Sequence, residues 1–246
     1  PHAPLARLSY QQFFRRYLRL AGMTGTAWEV RGELGAVYRL AVVPIAANRP
    51  VRRRDMGTRV HATAAAKWRG VVARVASLHQ RRRPILIGTR SVAASEHLSV
   101  LLTAAGLAHQ VLNARQDDDE AAIIARAGEP GRITVATNMA GRGTDIRLAP
   151  GIGVLGGLCV IATELHEARR IDRQLRGRCA RQGDPGLSRF YVSFEDDLMR
   201  NFGAAERMTK MMERFGLEEG QELEHSWLNR SVETAQKRVE HRNYLS

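Results

Sequence analysis

The sequence predicts an α/β protein: a parallel β-sheet with helices on both faces, followed by a helical C-terminal tail. From residue 84 onward, short apolar runs alternate with segments of helical periodicity. Strands that are apolar throughout and are each followed by a helix are typical of parallel sheets buried on both faces. The predicted strands are 84–88, 109–113, 132–137, 158–163 and 189–193. The predicted helices are 91–106, 118–128 and 166–175, and the tail adds 195–202, 205–214 and 229–242.

The first 83 residues have a less regular pattern. We expect an amphipathic helix over 8–20, a short strand over 39–45 and a basic connector formed by residues 48–50 and Arg52–Arg54. Apolar residues that recur with helical spacing predict a further helix over 63–80.

The composition is that of an ordinary globular protein, with 246 residues, 44% hydrophobic and 26% charged. A chain of this length holds one or two domains. The expected divisions are a lead-in over 1–50, the α/β domain over 51–223 and the start of a helical region over 224–246. Cys159 and Cys179 cannot form a disulfide framework, so we expect small buried residues in a reducing compartment. No apolar run reaches the roughly 18 residues of a membrane span.

The positive charge is concentrated near the N-terminus. The chain carries a net charge of +13, and residues 1–83 hold 17 Lys and Arg against 3 Asp and Glu. Residues 84–246 hold 21 against 22, so the whole excess lies before residue 84. Such a basic segment favours a polyanionic partner, either nucleic acid or an anionic membrane. An arginine- and alanine-rich chain from a GC-rich genome explains the charge equally well.

Residues 135–146 join a predicted strand to a glycine-containing loop. In open α/β sheets, ligands bind at the loops that follow the strands. Gly141 and Gly143 let the backbone approach a ligand closely. Arg142 offers a forked cation for phosphate, and Asp145 offers an acceptor for a ribose hydroxyl. The alternative is a tight turn with a local arginine–aspartate pair.

Residues 169–186 form a second candidate segment. Gln174, Arg178 and Arg181 are spaced i, i+4 and i+7, so one helix face would present all three if the helix continues that far. This makes Gln174 a further candidate nucleotide contact. The alternative is a solvated basic face, with Arg181 paired to Asp184. Because both candidate segments follow strands of a parallel sheet, we expect them to converge on one edge, where an arginine can reach a phosphate.

Four motifs, in this order and spacing, resemble those of the SecA preprotein translocase ATPases. They are AGMTGTA at 21–27, ATNMAGRGTDI at 136–146, HEARRIDRQLRGR at 166–178 and RQGDPG at 181–186. Segments at 8–22, 48–50, 87–89, 111–115, 188–199 and 224–243 are similar too. The resemblance covers nearly the whole chain. It implies a RecA-like second motor domain, preceded by a short lead-in and followed by the start of a scaffold helix.

The resemblance also implies a role for each matching residue. Arg178 and Arg181 match the arginine-finger positions, and Arg142 matches an arginine near the γ-phosphate. Asp145 matches an aspartate near the nucleotide sugar, and the two loop glycines shape its surroundings. The implied cofactor is ATP with Mg²⁺, the metal being held mainly by a first motor domain. That domain, with its GxxxxGK[ST] phosphate loop, is absent from the chain, so we expect no ATP hydrolysis by the chain alone.

The partners that the resemblance implies are the first motor domain, a preprotein and a membrane translocation channel. Acidic phospholipid and a second copy of the chain are further candidates, and nucleic acid is not expected. The implied location is the cytoplasm, peripheral at the inner face of the membrane. The chain departs from the family pattern at Cys159, Leu165, Asp117–Asp119 and Cys179-Ala180. Of these, Leu165 and the aspartates bear on coupling to neighbouring domains.

Two other functions stay open. The chain is alternatively the C-terminal module of a superfamily 2 nucleic-acid helicase, or a truncated, non-catalytic paralogue that regulates or docks on an intact motor.

Three motifs are not expected to have the function they suggest. Residues 151–156 match GxGxxG, but they precede a strand instead of following one. His166-Glu167 begins a zinc motif, but Arg170 stands where the second histidine is needed. Glu195–Asp197 is expected to place negative charge at a helix start, and no metal site is expected.

Overall fold

The computed structural model describes residues 7–112, 117–137 and 144–200, and near the C-terminus 233–234, 236–240 and 242. Of residues 117–120 only the backbone is described. The chain divides into two compact units, of which the first ends at Ala47 and the second begins at Asn48. The predicted boundary near residue 223 lies outside the described residues, as does the predicted helix over 205–214.

The first unit contains two short helices, α1 at Tyr10–Phe14 and α2 at Arg31–Tyr38. Ser9 caps α1, because its hydroxyl accepts a hydrogen bond from the amide of Gln12. The predicted helix over 8–20 is wrong in its extent. No residue of α1 is buried, and a short helix gains little stability without tertiary packing.

No strand forms at 39–45, so that prediction is wrong. Arg39 ends α2 in the left-handed conformation, with φ at 57°, and Pro44 has no N–H to donate to a sheet. Val43 and Ile45 are 75% and 86% exposed. The apolar run that suggested a strand therefore stays on the surface of this unit.

The second unit is built on a six-stranded sheet, and every strand pair in it is parallel. The strands are β1 (Arg52–His61), β2 (Ile85–Thr89), β3 (Gln110–Leu112), β4 (Ile133–Thr137), β5 (Leu158–Ala162) and β6 (Pro185–Ser193). Their order across the sheet is β1-β6-β5-β2-β4-β3. The predicted parallel α/β sheet is confirmed.

Helices cover both faces of this sheet. Within β2, Ile85 and Ile87 belong to one apolar cluster and Leu86 to the other, because alternate side chains point to opposite faces. The first cluster includes residues of α3 (Ala64–Gln80) and α4 (Val92–Ala104). The second includes residues of α5 (Asp117–Arg126), α6 (Arg169–Arg176) and α7 (Asp197–Arg200), together with Val239.

Val239 belongs to the C-terminal segment, our name for the described helical residues 233–234, 236–240 and 242. It is 1% exposed and packs in the same cluster as Leu175 of α6. The C-terminal segment is thereby part of the second unit's core.

Arg52–Arg54, predicted to be part of a basic connector, are instead the start of β1, so this part of the prediction is wrong. β1 is an edge strand that pairs only with β6 among the described strands, and Arg52 and Arg54 are exposed. An edge strand keeps its outer side in water, so it tolerates charged side chains that a central strand excludes. Its partner β6 begins at Pro185, four residues before the predicted start.

Residues 151–156 form consecutive turns that lead into β5, as the sequence predicts. Arg83 anchors their end, because its Nε donates to the carbonyl of Gly157 at 2.8 Å and a terminal nitrogen donates to the carbonyl of Gly156. Gly157 has a φ of +72°, and a Cβ there would overlap the carbonyl oxygen of Pro185. Glycine at 157 therefore lets β5 begin beside β6.

Replacing Gly157 by alanine should destabilise the fold far more than the same change at two neighbouring glycines. Gly157→Ala combines a left-handed backbone with a steric overlap, and we expect a loss on the order of 3 kcal/mol or more. Gly151 has a φ of +84° but open space around it, so its alanine variant should lose about 1 kcal/mol. Gly153 meets only Pro185 at 3.9 Å and should tolerate alanine. Urea unfolding of the three variants tests this order, and equal losses would contradict it.

His61, the last residue of β1, is buried and stacks on Tyr191 with ring centroids 6.0 Å apart. Burial, together with the charges of Arg59, Lys67 and Arg69, lowers the pKa of His61 to about 4. The folded protein therefore favours the neutral imidazole.

The stability of the fold should consequently fall as the pH drops from 6.5 towards 4. In that range the unfolded chain binds a proton at His61 that the folded chain does not. His61→Phe keeps an aromatic ring against Tyr191 and removes the titrating group. Urea midpoints measured at about pH 7.5 and about pH 5 should differ less in His61→Phe than in the unaltered chain. The same pH dependence in both would show that His61 does not carry it.

Candidate functional site

The candidate site lies at the carboxyl end of the sheet, where the chain leaves β4 and β5. After β5, the amide and hydroxyl of Thr163 both donate to the carbonyl of Gly88, at 3.1 and 3.2 Å. α6 packs closely on the end of the neighbouring strand β2, because a Cβ at Gly88 of β2 would overlap the side chain of Leu175 of α6. This close approach fixes the position of the C-terminal end of α6 at the carboxyl end of the sheet.

The two candidate segments contact each other at the carboxyl end of the sheet through an ion pair. Arg181 Nη1 lies 2.8 Å from Asp145 Oδ1, and Arg181 Nε donates to the carbonyl of Gly177 at 3.0 Å. Arg178 Nη1 lies 3.4 Å from the carbonyl oxygen of Thr144. The side chains of Arg181 and Asp145 are 37% and 51% exposed, so the pair is open to solvent. The structure thus brings Arg178, Arg181 and Asp145 together.

The helix predicted to carry Gln174, Arg178 and Arg181 on one face does not extend that far. α6 ends at Arg176, and Gly177 is its C-cap. Past this point Ala180 takes a left-handed conformation, with φ at 57°. The prediction of one shared helical face is therefore wrong, and a turn, not a helix, presents both arginines.

Gln174 and Asp184 also differ from expectation. Gln174 is exposed on α6, and among the described residues no hydrogen bond joins it to either arginine. The amide of Asp184 donates to the carbonyl of Arg181 at 2.9 Å, while the guanidinium pairs with Asp145. The alternative in which Arg181 pairs with Asp184 is therefore wrong. Gly141, Arg142 and Gly143 lie outside the described residues.

A polar network, which we call the α6 clamp, lies at the start of α6 and is buried at three of its five residues. Its residues are His166, Arg169, Asp172, Gln236 and Glu240. Asp172 Oδ1 accepts hydrogen bonds from the backbone amide of His166 at 3.1 Å and from its Nδ1 at 2.7 Å. Gln236 Nε2 donates to Asp172 Oδ2 at 2.6 Å and to the carbonyl of His166 at 2.7 Å. Arg169 Nε donates to Glu240 Oε2 at 2.6 Å.

The sequence did not reveal the α6 clamp. A charged helix such as 169–176 gives no sign that one of its acids is buried, and Gln236 lies 64 residues after Asp172. The only available signal was the expected helix at 229–242, which requires some surface to pack on.

A second buried cluster lies beside the ends of β1 and β6. Lys67 Nζ is 2.6 Å from Asp196 Oδ1, and both residues are buried. Ser193 donates its amide and hydroxyl to the same carboxylate, at 2.8 and 2.6 Å. Glu195 accepts from the first amide of α3, and Asp197 lies in the first turn of α7 as predicted. Asp196, in contrast, forms a buried ion pair that the sequence did not reveal.

Three positions that depart from the family pattern are core residues. Cys159 and Cys179 are buried and free, and Leu165 is 6% exposed. Burial raises the pKa of each thiol to about 11, so both cysteines are neutral at ordinary pH. Their burial was predicted, and they fill space in the core.

Within the described ranges, no group of three or more His, Cys, Asp or Glu is arranged to hold a metal ion. Among the same residues, no helix is both long and apolar enough to cross a membrane.

Two solved structures are similar to this chain at low identity. The E. coli DEAD-box protein SrmB, in a structure with RraA, has 22% identity and a TM-score of 0.45, covering 66% of this chain and 87% of SrmB. The yeast DEAD-box splicing factor Prp28 has 18% identity and a TM-score of 0.48, covering 78% of this chain and 40% of Prp28.

Comparison with protein families is more specific. The model of the SecA P-loop domain matches residues 50–154 and 150–220, and that of the SecA DEAD-like domain matches 1–35. The parallel sheet and the matched domain define the class of the second unit, a RecA-like P-loop domain. Within that class, the chain belongs to the SecA family.

Curated relatives agree with this assignment. The protein translocase subunit SecA of Chlorobium limicola is 52% identical over 240 residues, which are 98% of this chain and 23% of the relative. That of Bacteroides fragilis is 51% identical over 239 residues, 97% of this chain and 22% of the relative. The chain therefore spans less than a quarter of the length of these two relatives.

Two aspartates near the site should contribute very differently to stability. Asp145 is in an exposed ion pair, so Asp145→Ala should cost less than about 1 kcal/mol. Asp172 is 2% exposed and accepts three hydrogen bonds, so Asp172→Ala should cost on the order of 3 kcal/mol. Urea unfolding of both variants measures the difference. A loss of several kcal/mol in Asp145→Ala would mark that residue as structural.

Proposed function

We propose that the chain is half of a SecA-like, ATP-driven motor for preprotein translocation across a membrane. In this proposal it supplies Arg178 and Arg181 as arginine fingers to an ATP site shared with a first motor domain. The observation that carries the proposal is the Arg181–Asp145 ion pair, which joins the two candidate segments at the carboxyl edge of the sheet. Membership of the SecA family supports the same reading.

The geometry around Arg181 suits a finger. A guanidinium has five N–H donors and retains its charge at any physiological pH. Asp145 holds Nη1 and the Gly177 carbonyl holds Nε, so the side chain is oriented before any ligand arrives. An oriented cation at an exposed edge can neutralise charge that develops on a phosphoryl group. Arg178, anchored on Thr144, is the second such cation.

ATP with Mg²⁺ fits this set of residues only in part. The chain offers guanidinium groups at the sheet edge, but its sequence contains no GxxxxGK[ST] phosphate loop. When bound, ATP supplies the phosphoryl group that is transferred to water. We propose that Gly141, Arg142, Gly143 and Gln174 also contact the nucleotide, and that the first motor domain holds most of the metal's ligands.

The proposed partners follow from the motor function. They are the first motor domain, a preprotein and a membrane translocation channel. The basic charge of residues 1–83 is suited to acidic phospholipid, where each Lys or Arg near the surface contributes on the order of 1 kcal/mol. We propose a cytoplasmic protein that is peripheral at the inner face of the membrane, and a second copy of the chain remains a candidate partner.

The proposal can be tested in a chimera, defined as the Chlorobium limicola SecA relative with its matching 240-residue segment replaced by this chain. The relative provides the rest of the motor, and its unaltered form is the reference. A chimera that folds but hydrolyses no ATP would reject the proposed motor role, and a regulatory paralogue would then be the better explanation.

In the chimera, Arg181→Ala should lower kcat by about 10³–10⁵-fold and change KM much less, because a finger acts on charge that develops in the transition state. Arg181→Lys should retain little of the wild-type kcat, since an ammonium cannot bind two phosphate oxygens at once as a guanidinium does. Steady-state ATPase rates measure both effects. Arg170→Ala is the control, because Arg170 is an exposed arginine on α6. A wild-type rate in Arg181→Lys would remove the finger role from Arg181 and leave Arg178 as the candidate.

A further inference from the structure

We propose that Gln236 and Glu240 of the C-terminal segment are positioning residues for the arginine finger Arg181. They hold the start of α6, and α6 leads directly into the turn that carries Arg178 and Arg181. The proposal rests on the proposed ATPase function, and it assigns that function two residues far from the ion pair in sequence.

Glu240 supplies a cap that α6 does not make for itself. The N-cap position of α6 is Ala168, which offers no side-chain hydrogen bond. The first amides of a helix need acceptors from outside the helix, and negative charge is favoured there. Glu240 provides both, because Oε1 accepts from the amide of Arg169 and Oε2 accepts from its guanidinium. The acceptor comes from a residue 71 positions later in the chain.

Gln236 completes the hydrogen bonding of the buried acid in the first turn of α6. Asp172 is 2% exposed and Gln236 is 4% exposed, so water cannot replace their contact. The Gln236 amide donates to both Asp172 and the carbonyl of His166. It thereby fixes the helix relative to the chain that enters it from β5.

The position of α6 affects Arg181 directly, because the turn that carries this arginine begins where the helix ends. Leu175 is pressed against Gly88 of β2, so the helix has little room to slide on the sheet. Gly177 follows the last residue of α6, and its carbonyl accepts from Arg181 Nε. A change of tilt at Arg169 therefore moves the acceptor that orients Arg181. Misplacement of a catalytic group by about 1 Å can cost on the order of a hundredfold in rate.

In the chimera, Glu240→Ala and Gln236→Leu should each lower kcat by about tenfold to a hundredfold and change KM by less than about twofold. Glu240→Gln should retain more activity than Glu240→Ala, because an amide oxygen still accepts from the Arg169 amide. Glu233→Ala is the matched control, since Glu233 lies exposed on the same segment. Rates are compared at a temperature where circular dichroism shows every variant folded, and Glu240→Gln replaces Glu240→Ala if the alanine variant does not fold.

A double-mutant cycle separates positioning from a general loss of stability. If Glu240 acts through Arg181, then Glu240→Ala should lower kcat by less than about twofold in an Arg181→Ala background. An equal loss in both backgrounds, or an unchanged kcat with only a lower melting temperature, would overturn the positioning role while the finger role stands. An Arg181→Ala variant with a normal kcat would instead overturn the finger role, and the inference with it.

Discussion

The parallel pairing of all six strands is the constraint on which the rest of the second unit depends. Parallel strands run from the same end of the sheet, so the chain must cross a face and return before each new strand begins. These crossings place α3, α4, α5 and α6 on the two faces. They also bring the segments after β4 and β5 to the same end of the sheet, the carboxyl end of its strands. The contact between Asp145 and Arg181, 36 positions apart, follows from this topology.

The charged groups at the carboxyl end of the sheet are of two kinds, buried and exposed to solvent. Asp172 and the Lys67–Asp196 pair are withdrawn from water and are held by several hydrogen bonds each. Buried charges need such satisfaction, and they fix the geometry around them. The Arg181–Asp145 pair remains in water, where an ion pair is weak and is easily exchanged for another partner. The buried acids thus stabilise the fold, whereas Arg181 is oriented but only weakly held.

The sequence predicted the interior of the fold better than its boundaries. β2, β4 and β5 consist only of apolar residues, glycine and threonine, so each could be identified by its composition. β1 could not, because an edge strand with three consecutive arginines has the composition of a loop. The helical face suggested for Gln174, Arg178 and Arg181 required the helix predicted over 166–175 to continue, whereas the backbone turns at Gly177. The residue pattern and the resemblance to SecA motifs made Arg181 and Asp145 candidates, but nothing in the sequence indicated that they pair.

The α6 clamp was missed for a different reason. Its contacts with the C-terminal segment join residues 64 to 71 positions apart, and each side chain taken singly is an ordinary polar residue. Local patterns report which face of a helix is apolar, but they do not report which distant helix packs on it. Only the tertiary structure shows that Gln236 completes the hydrogen bonding of the buried Asp172 carboxylate.

The two edges of the sheet have a consequence for how copies of this domain can meet. β3 is only three residues long, and β1 begins with Arg52–Arg54 and has an irregular register between Asp55 and Thr58. Short strands, charged side chains and bulges each discourage a neighbouring molecule from adding its own strand to a sheet. Continuous sheets that extend from one molecule into the next are therefore disfavoured. The edges of the folded sheet thus favour an assembly of these domains through helices and loops.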